Sequence, residues 1–191
     1  ASERVAEPTD GQRDAGNYKH GHIKFQGLDI TIENPKGSIR RGTSQDGTAW
    51  QVTMPATYGY VKRTEGRDGD QVDVYVGDNP QSDRVFVVDQ VDPDTGKFDE
   101  HKVFLGYSEA PEVKGVYRRA FSDGRADERF GGITLLEMPD FKDWLAKGKR
   151  TRPVSKLDTK PDAESVQPTG TTPEQPDNQP DSYQGEPLTA D

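Results

Sequence analysis

From residue 22 onward the chain alternates. His22-Ile-Lys-Phe25 and Leu28-Asp-Ile30-Thr-Ile32 place apolar and polar side chains by turns on either side of Gly27, a period of two that predicts two short strands or one bent strand. Glu33 closes this stretch, Asn34-Pro35-Lys36-Gly37-Ser38 forces a turn, and Ser44-Gln-Asp46-Gly47-Thr48 predicts a hairpin whose Asp-Gly suits positive φ. Trp50, Val52 and Met54 alternate up to Pro55. Val72, Val74 and Val76 share one face of the next strand and Asp73 and Tyr75 the other. The run 85–91 is nearly continuously apolar, as a central strand is, and the acidic turn 92–100 leads from it into His101-Lys102-Val103-Phe104-Leu105 as a long hairpin. After Pro111 the period changes: Val113, Val116, Tyr117, Ala120 and Phe121 share one helical face until Ser122-Asp-Gly124. A short strand at 133–136 precedes Pro139, which opens a second helix carrying Phe141, Trp144 and Leu145 and ending at Gly148. The inventory, five or more strands and two helices, predicts a mainly β (α+β) domain, a small closed or partly open barrel.

Composition trims the domain. Of 191 residues only 29% are apolar and the mean hydropathy is −1.00, and the deficit is uneven. Residues 151–191 hold seven of the 14 prolines, three basic and eight acidic residues and almost nothing to bury, so they read as a disordered acidic tail that carries −5 of the net charge of −9. Residues 1–16 are polar and without periodicity and read as a flexible lead-in, which leaves residues 17–150 as the folded unit. With no basic stripe, phosphate-backbone binding to nucleic acid is not expected. The absence of cysteine excludes disulfides and thiolate metal sites. No apolar run reaches the length of a membrane span and the N-terminus lacks the apolar stretch of a signal peptide, so a cytoplasmic protein without membrane contact is expected.

The candidate chemistry is crowded acid. Asp68, Asp70 and Asp73 lie within six residues at the mouth of a strand, where like charges repel unless something neutralises them, and an all-oxygen ligand set favours a hard divalent ion such as Mg²⁺ or Ca²⁺. A solvated Asp-Gly turn is the plainer alternative. Asp92, Asp94, Asp99 and Glu100 form a second acidic cluster, either a polar hairpin tip or further ligands. Lys102, two residues past Glu100, shares its strand face, as a salt bridge or as the partner of an anion bound through metal. Lys36, Arg40 and Arg41 near Glu33 repeat the mixture. Acids for a metal interleaved with bases for an oxyanion describe a metal–phosphate site. His20 and His22 lack further ligands for a transition metal, and His101 should face away from Lys102.

These motifs resemble the soluble (family I) inorganic pyrophosphatases, in the shortened form met in phage and mobile-element proteins. The segment Asp68-Gly-Asp70-Gln-Val-Asp73 is similar to that family's signature. Tyr58-Gly-Tyr60 keeps its spacing ten residues earlier, Glu33-Asn-Pro-Lys-Gly-Ser-Ile-Arg-Arg41 resembles its Glu-Ile-Pro-x-Gly-Ser-x-x-Lys element, and the hairpin from Asp92 to Lys102 resembles its later Asp…Asp-x-Lys element. The resemblance implies a five-stranded OB-like barrel that hydrolyses pyrophosphate to phosphate with Mg²⁺. It implies Asp68, Asp70, Asp73, Asp92, Asp94 and Glu100 as metal ligands, with Asp70 orienting or deprotonating water. Arg41, Tyr58 and Lys102 would contact phosphate oxygens, and Glu33 would support the site from its edge. The sequence departs from the family pattern at Gln71, at Arg41 in place of lysine and at Thr43 in place of glutamate, and Tyr117-Arg118 is a loose counterpart of its late Tyr-Lys pair. A metal- and phosphate-binding module without turnover, within a phage particle or a multidomain protein, is the alternative expectation.

Overall fold

The structure is a computed structural model that describes residues 9, 11–12, 20–65 and 69–155. Nine strands and three helices are defined among them. The strands are β1 (Gly21–Phe25), β2 (Leu28–Asn34), β3 (Ile39–Thr43), β4 (Ala49–Thr53), β5 (Thr57–Val61), β6 (Asp73–Val76), β7 (Arg84–Val91), β8 (Phe98–Leu105) and β9 (Phe130–Glu137). The helices, numbered in chain order, are α1 (Ala110–Arg119), the single turn α2 (Ala126–Arg129) and α3 (Met138–Lys147). Seven strands form one sheet in the order β1-β2-β5-β6-β8-β7-β9, and β3 and β4 form a separate hairpin. The mainly β, α+β expectation holds, but not the five-stranded OB-like barrel: the hydrogen-bonded sheet has seven strands and, among the described residues, does not close, with β1 and β9 at its edges. Period-two patterning fixes which faces are apolar but is silent on which strands pair, so closure was not readable from it.

Local chemistry explains the joints. The β1–β2 hairpin turns through Gln26 and Gly27, both at positive φ, and the β3–β4 hairpin through Gly47 at φ 85°. β2 and β5 approach so closely at Gly59 that a Cβ there would lie 1.9 Å from the Thr31 carbonyl oxygen. Pro111 sits in the first turn of α1, where Glu112 accepts hydrogen bonds from the Ser108 and Glu109 backbone N–H groups at 3.0 and 3.2 Å. Pro139 opens α3 and Gly148 ends it.

The sheet separates two cores. On one face Ile30, Val74, Val85, Val87, Val103 and Leu105 pack against Phe141 and Trp144 of α3. On the other, Tyr58, Tyr75, Phe86, Val88 and Phe104 pack against Val113, Val116 and Tyr117 of α1. β7, hydrogen-bonded on both sides, is buried on both faces, which is why its sequence is continuously apolar. The described chain continues past Arg150: Val154 enters the α3-side core, and the buried Asp89 accepts hydrogen bonds from the N–H groups of Val154 (2.8 Å) and Ser155 (3.0 Å) and from the Ser155 hydroxyl (2.5 Å). No described helix is long and apolar enough to cross a membrane.

Candidate active site

On the α1 side of the sheet, alternation brings four polar side chains to one spot. β6 runs parallel to β8 with Asp73 opposite Lys102, β5 runs antiparallel to β6 with Tyr58 opposite Tyr75, and Glu100 lies two residues before Lys102 on the same face. The Tyr58 hydroxyl donates to Asp73 Oδ2 at 2.5 Å. The Lys102 ammonium donates to the same oxygen, lies 2.8 Å from Glu100 Oε1 and donates to the Tyr58 hydroxyl at 3.3 Å. Its three donors are all used, which is what allows a lysine at 6% exposure.

The electrostatics follow from that enclosure. Burial alone would push the Lys102 ammonium to lose its proton, but Tyr58, Asp73 and Glu100 outweigh it and hold its pKa well above the ordinary value. Burial raises the Tyr58 phenol well above its ordinary range, more than the Lys102 charge lowers it, so at neutral pH the hydroxyl stays a donor. Glu33, at the end of β2, and Glu100 are both raised, chiefly by burial and in part by the negative charge of Asp73. The Arg40 guanidinium lies 4.7 Å over the Tyr58 ring and 5.8 Å over Trp50, a cation–π arrangement that roofs the phenol with positive charge.

The sequence-derived residues fall into three groups. Tyr58, Asp73, Glu100 and Lys102 come together, and Glu33, at the end of β2, lies near enough to feel the charge of Asp73. Arg41, Asp92 and Asp94 are placed elsewhere. Along β3 it is Arg40 and Gly42 that are half-buried, while Arg41 lies on the exposed face, so the cation over Tyr58 is its neighbour. A shift of one residue in a strand changes faces, and Ile39-Arg-Arg-Gly-Thr43 has no apolar alternation from which to read the inward side. Asp92 is exposed in the β7–β8 turn and accepts the N–H groups of Asp94 and Thr95 at 2.9 and 2.8 Å, and these hydrogen bonds lower its pKa. Asp94 pairs with Arg125 at 2.8 Å. Asp70 is exposed just ahead of β6, and Asp68 lies outside the described residues. As a site component, Tyr117 enters from the sequence only as a loose counterpart of the family's late Tyr-Lys pair, and Gln90 is not singled out, although a glutamine inside the apolar strand β7 is the kind of buried polar residue that needs partners.

Among the described residues no three Asp, Glu or His side chains converge tightly enough to hold one ion. The donor chemistry nevertheless fits a hard divalent cation. Glu33, Asp73 and Glu100 offer only oxygen, the donor type such an ion takes.

Fold and site thus define an α+β protein whose sheet carries a buried cation–carboxylate–phenol cluster beside an acidic loop. The chain belongs to the inorganic pyrophosphatase family: the family model matches residues 10–146. Members of that family generally work with divalent metal. Among solved structures it is similar to an inorganic pyrophosphatase from Neisseria gonorrhoeae (16% identity over 64% of this chain and 89% of that one, TM-score 0.38). It is also similar to an inorganic phosphatase from Anaplasma phagocytophilum (16%, 64% and 90%, TM-score 0.37) and an inorganic pyrophosphatase from Coxiella burnetii (17%, 61% and 89%, TM-score 0.36). No curated protein matches.

Proposed function

We propose that this chain hydrolyses inorganic pyrophosphate to two phosphates, with Mg²⁺ as its divalent cation. The observation that carries the reading is Lys102, an ammonium enclosed by Asp73, Glu100 and the Tyr58 hydroxyl with a second cation, Arg40, above the same phenol. In a member of the inorganic pyrophosphatase family, that constellation supports binding of a polyanionic phosphoanhydride.

Each side chain then has a task its environment suits. Lys102 and Arg40 set positive charge beside the phosphoryl oxygens, and the Tyr58 hydroxyl, which donates to Asp73 in the free protein, turns to one of these oxygens as negative charge moves onto the leaving phosphate. Lys102 is held by Asp73 and Glu100 and Arg40 by the faces of Tyr58 and Trp50, so both charges are in place before a substrate arrives. Asp68, Asp70 and Asp73, with Glu100, would hold the divalent ions, with Glu33 at the edge. Bound there, such ions supply an activated water at neutral pH and offset the charge of the departing phosphate. Asp70 orients the attacking water or accepts its proton.

The second reading is a metal- and phosphate-binding module without turnover. It is favoured by Asp92 and Asp94, two expected ligands that are engaged by their own turn and by Arg125. Phosphate release from pyrophosphate by the full chain, with Mg²⁺, with Ca²⁺ and with chelator, separates the two. Mg²⁺-dependent turnover that falls about 100-fold or more in Asp70→Asn supports the enzyme. A folded chain that binds Mg²⁺ and releases no phosphate supports the module.

A further inference from the structure

The Lys102 cluster does not end at Glu100. Gln90 of β7 is buried at 6% exposure and stands opposite Glu100 in the β7–β8 register. Its amide nitrogen donates to Glu100 Oε1 at 3.0 Å and to Asp99 Oδ2 at 3.3 Å, and its carbonyl oxygen accepts the Tyr117 hydroxyl at 2.9 Å. The orientation of the amide follows from its partners, since carboxylate oxygens accept and a flipped amide would set oxygen against oxygen on two acids. Tyr117 is fully buried in α1, its ring against Phe104, Phe121 and Phe130, so the hydroxyl is a fixed anchor.

Glu100 Oε1 is thereby shared between the Gln90 amide and the Lys102 ammonium. A continuous line of donors and acceptors runs from α1 through β7 and β8 to the Tyr58–Asp73 pair. We infer that Gln90 is a positioning residue of this site: anchored by Tyr117, it fixes the Glu100 carboxylate and through it the place of the Lys102 ammonium. A carboxylate held by Lys102 alone could follow the flexible lysine stem into several rotamers. Held from behind by a rigid amide, it leaves the ammonium one position, facing Asp73 and Tyr58. The functional consequence rests on the proposed pyrophosphate hydrolysis; the placement of Lys102 does not.

The test uses the full chain and two readouts. The first is the ¹⁵Nζ–H signal of Lys102, assigned by its loss in Lys102→Arg and visible because an enclosed ammonium exchanges its protons slowly. Gln90→Leu, which keeps the volume and removes the amide, is expected to shift or broaden that signal. Tyr117→Phe, which removes one hydroxyl, is expected to do so more weakly, and it serves in place of Gln90→Leu should that variant not fold. The second readout is steady-state turnover of pyrophosphate. Gln90→Leu is expected to lower kcat about tenfold with KM within about threefold, and to cause no further loss when Glu100→Gln is already present. An unmoved Lys102 signal in a folded variant overturns the inference, as does a loss that adds fully to that of Glu100→Gln. A wild-type chain without turnover would instead refute the proposed function, and the Lys102 signal would still decide the role of Gln90.

Discussion

At the scale of single residues the site is a case of buried charge made tolerable by complete pairing. The Tyr58 hydroxyl sits between Asp73 and Lys102, and its ring packs on Tyr75 with centroids 4.8 Å apart beneath Arg40. Tyr58→Phe keeps the ring and removes the hydroxyl. It is expected to cost about 1 kcal/mol of stability, read from urea denaturation, because one charge-assisted hydrogen bond is lost while Lys102 retains Asp73 and Glu100. Turnover is expected to fall by about 100-fold, since the donor proposed to turn from Asp73 to a phosphoryl oxygen is gone. A stability loss with unchanged turnover would assign the hydroxyl to architecture alone. Part of this scale was legible in the sequence: Asp73, Glu100 and Lys102 from their spacing and Tyr58 from the family resemblance have side chains that the structure brings into contact, while their roles in turnover belong to the proposal. The resemblance pointed to Arg41, whereas it is Arg40 that lies over Tyr58, because a strand without apolar alternation does not show in sequence which of two adjacent arginines faces inward.

At the scale of elements, periodicity located β1, β2, β4, β6, β7, β8 and both long helices, since each has one or two faces to bury. It could not show that β6 pairs in parallel with β8, a contact between segments far apart in sequence that sets Asp73 beside Lys102. Nor could it resolve α2, a single turn held by side chains rather than by an apolar face. Asp123 accepts from both terminal nitrogens of Arg129, at 2.9 and 2.6 Å, and from the Arg125 N–H at 3.0 Å. The Arg129 hydrogen bonds are the main reason its pKa falls from the ordinary 3.8 to about 2. A depressed carboxylate contributes stability that is present above its ordinary value and is lost as the pH falls from 3.8 towards about 2. Asp123→Asn is therefore expected to flatten the acid-side decline of the urea midpoint in that window and to leave the neutral-pH slope unchanged. The effect should be small, because the Asp123 side chain is nearly half exposed. Identical slopes in variant and wild type would contradict it.

At the scale of the whole molecule, the folded unit reaches beyond the boundary that composition suggests. Proline and acid content place the end of the domain near residue 150, but composition averages over windows and cannot detect one valine and two backbone N–H groups. Val154 is buried, and Asp89, at 1% exposure, is satisfied by Val154 and Ser155. A chain ended after Arg150 is expected to be less stable than one ended after Ser155 by about 3 kcal/mol, through the lost apolar contact and a buried Asp89 left with only the His101 ring, 3.4 Å away, as a partner. Equal urea midpoints for the two would contradict this account of the strap. The same layered plan explains the site, because α1 covers the face that carries Lys102 while α3 and this strap cover the other.

The most direct measurement is ³¹P NMR of pyrophosphate incubated with the full chain and Mg²⁺, wild type beside Lys102→Met, with the fold of each verified by its melting transition. The account requires the pyrophosphate signal to be replaced by that of phosphate in the wild type and to persist in the variant. Conversion at equal rates in both would contradict a catalytic role for the enclosed ammonium, and no conversion by a folded, Mg²⁺-binding wild type would contradict hydrolysis itself.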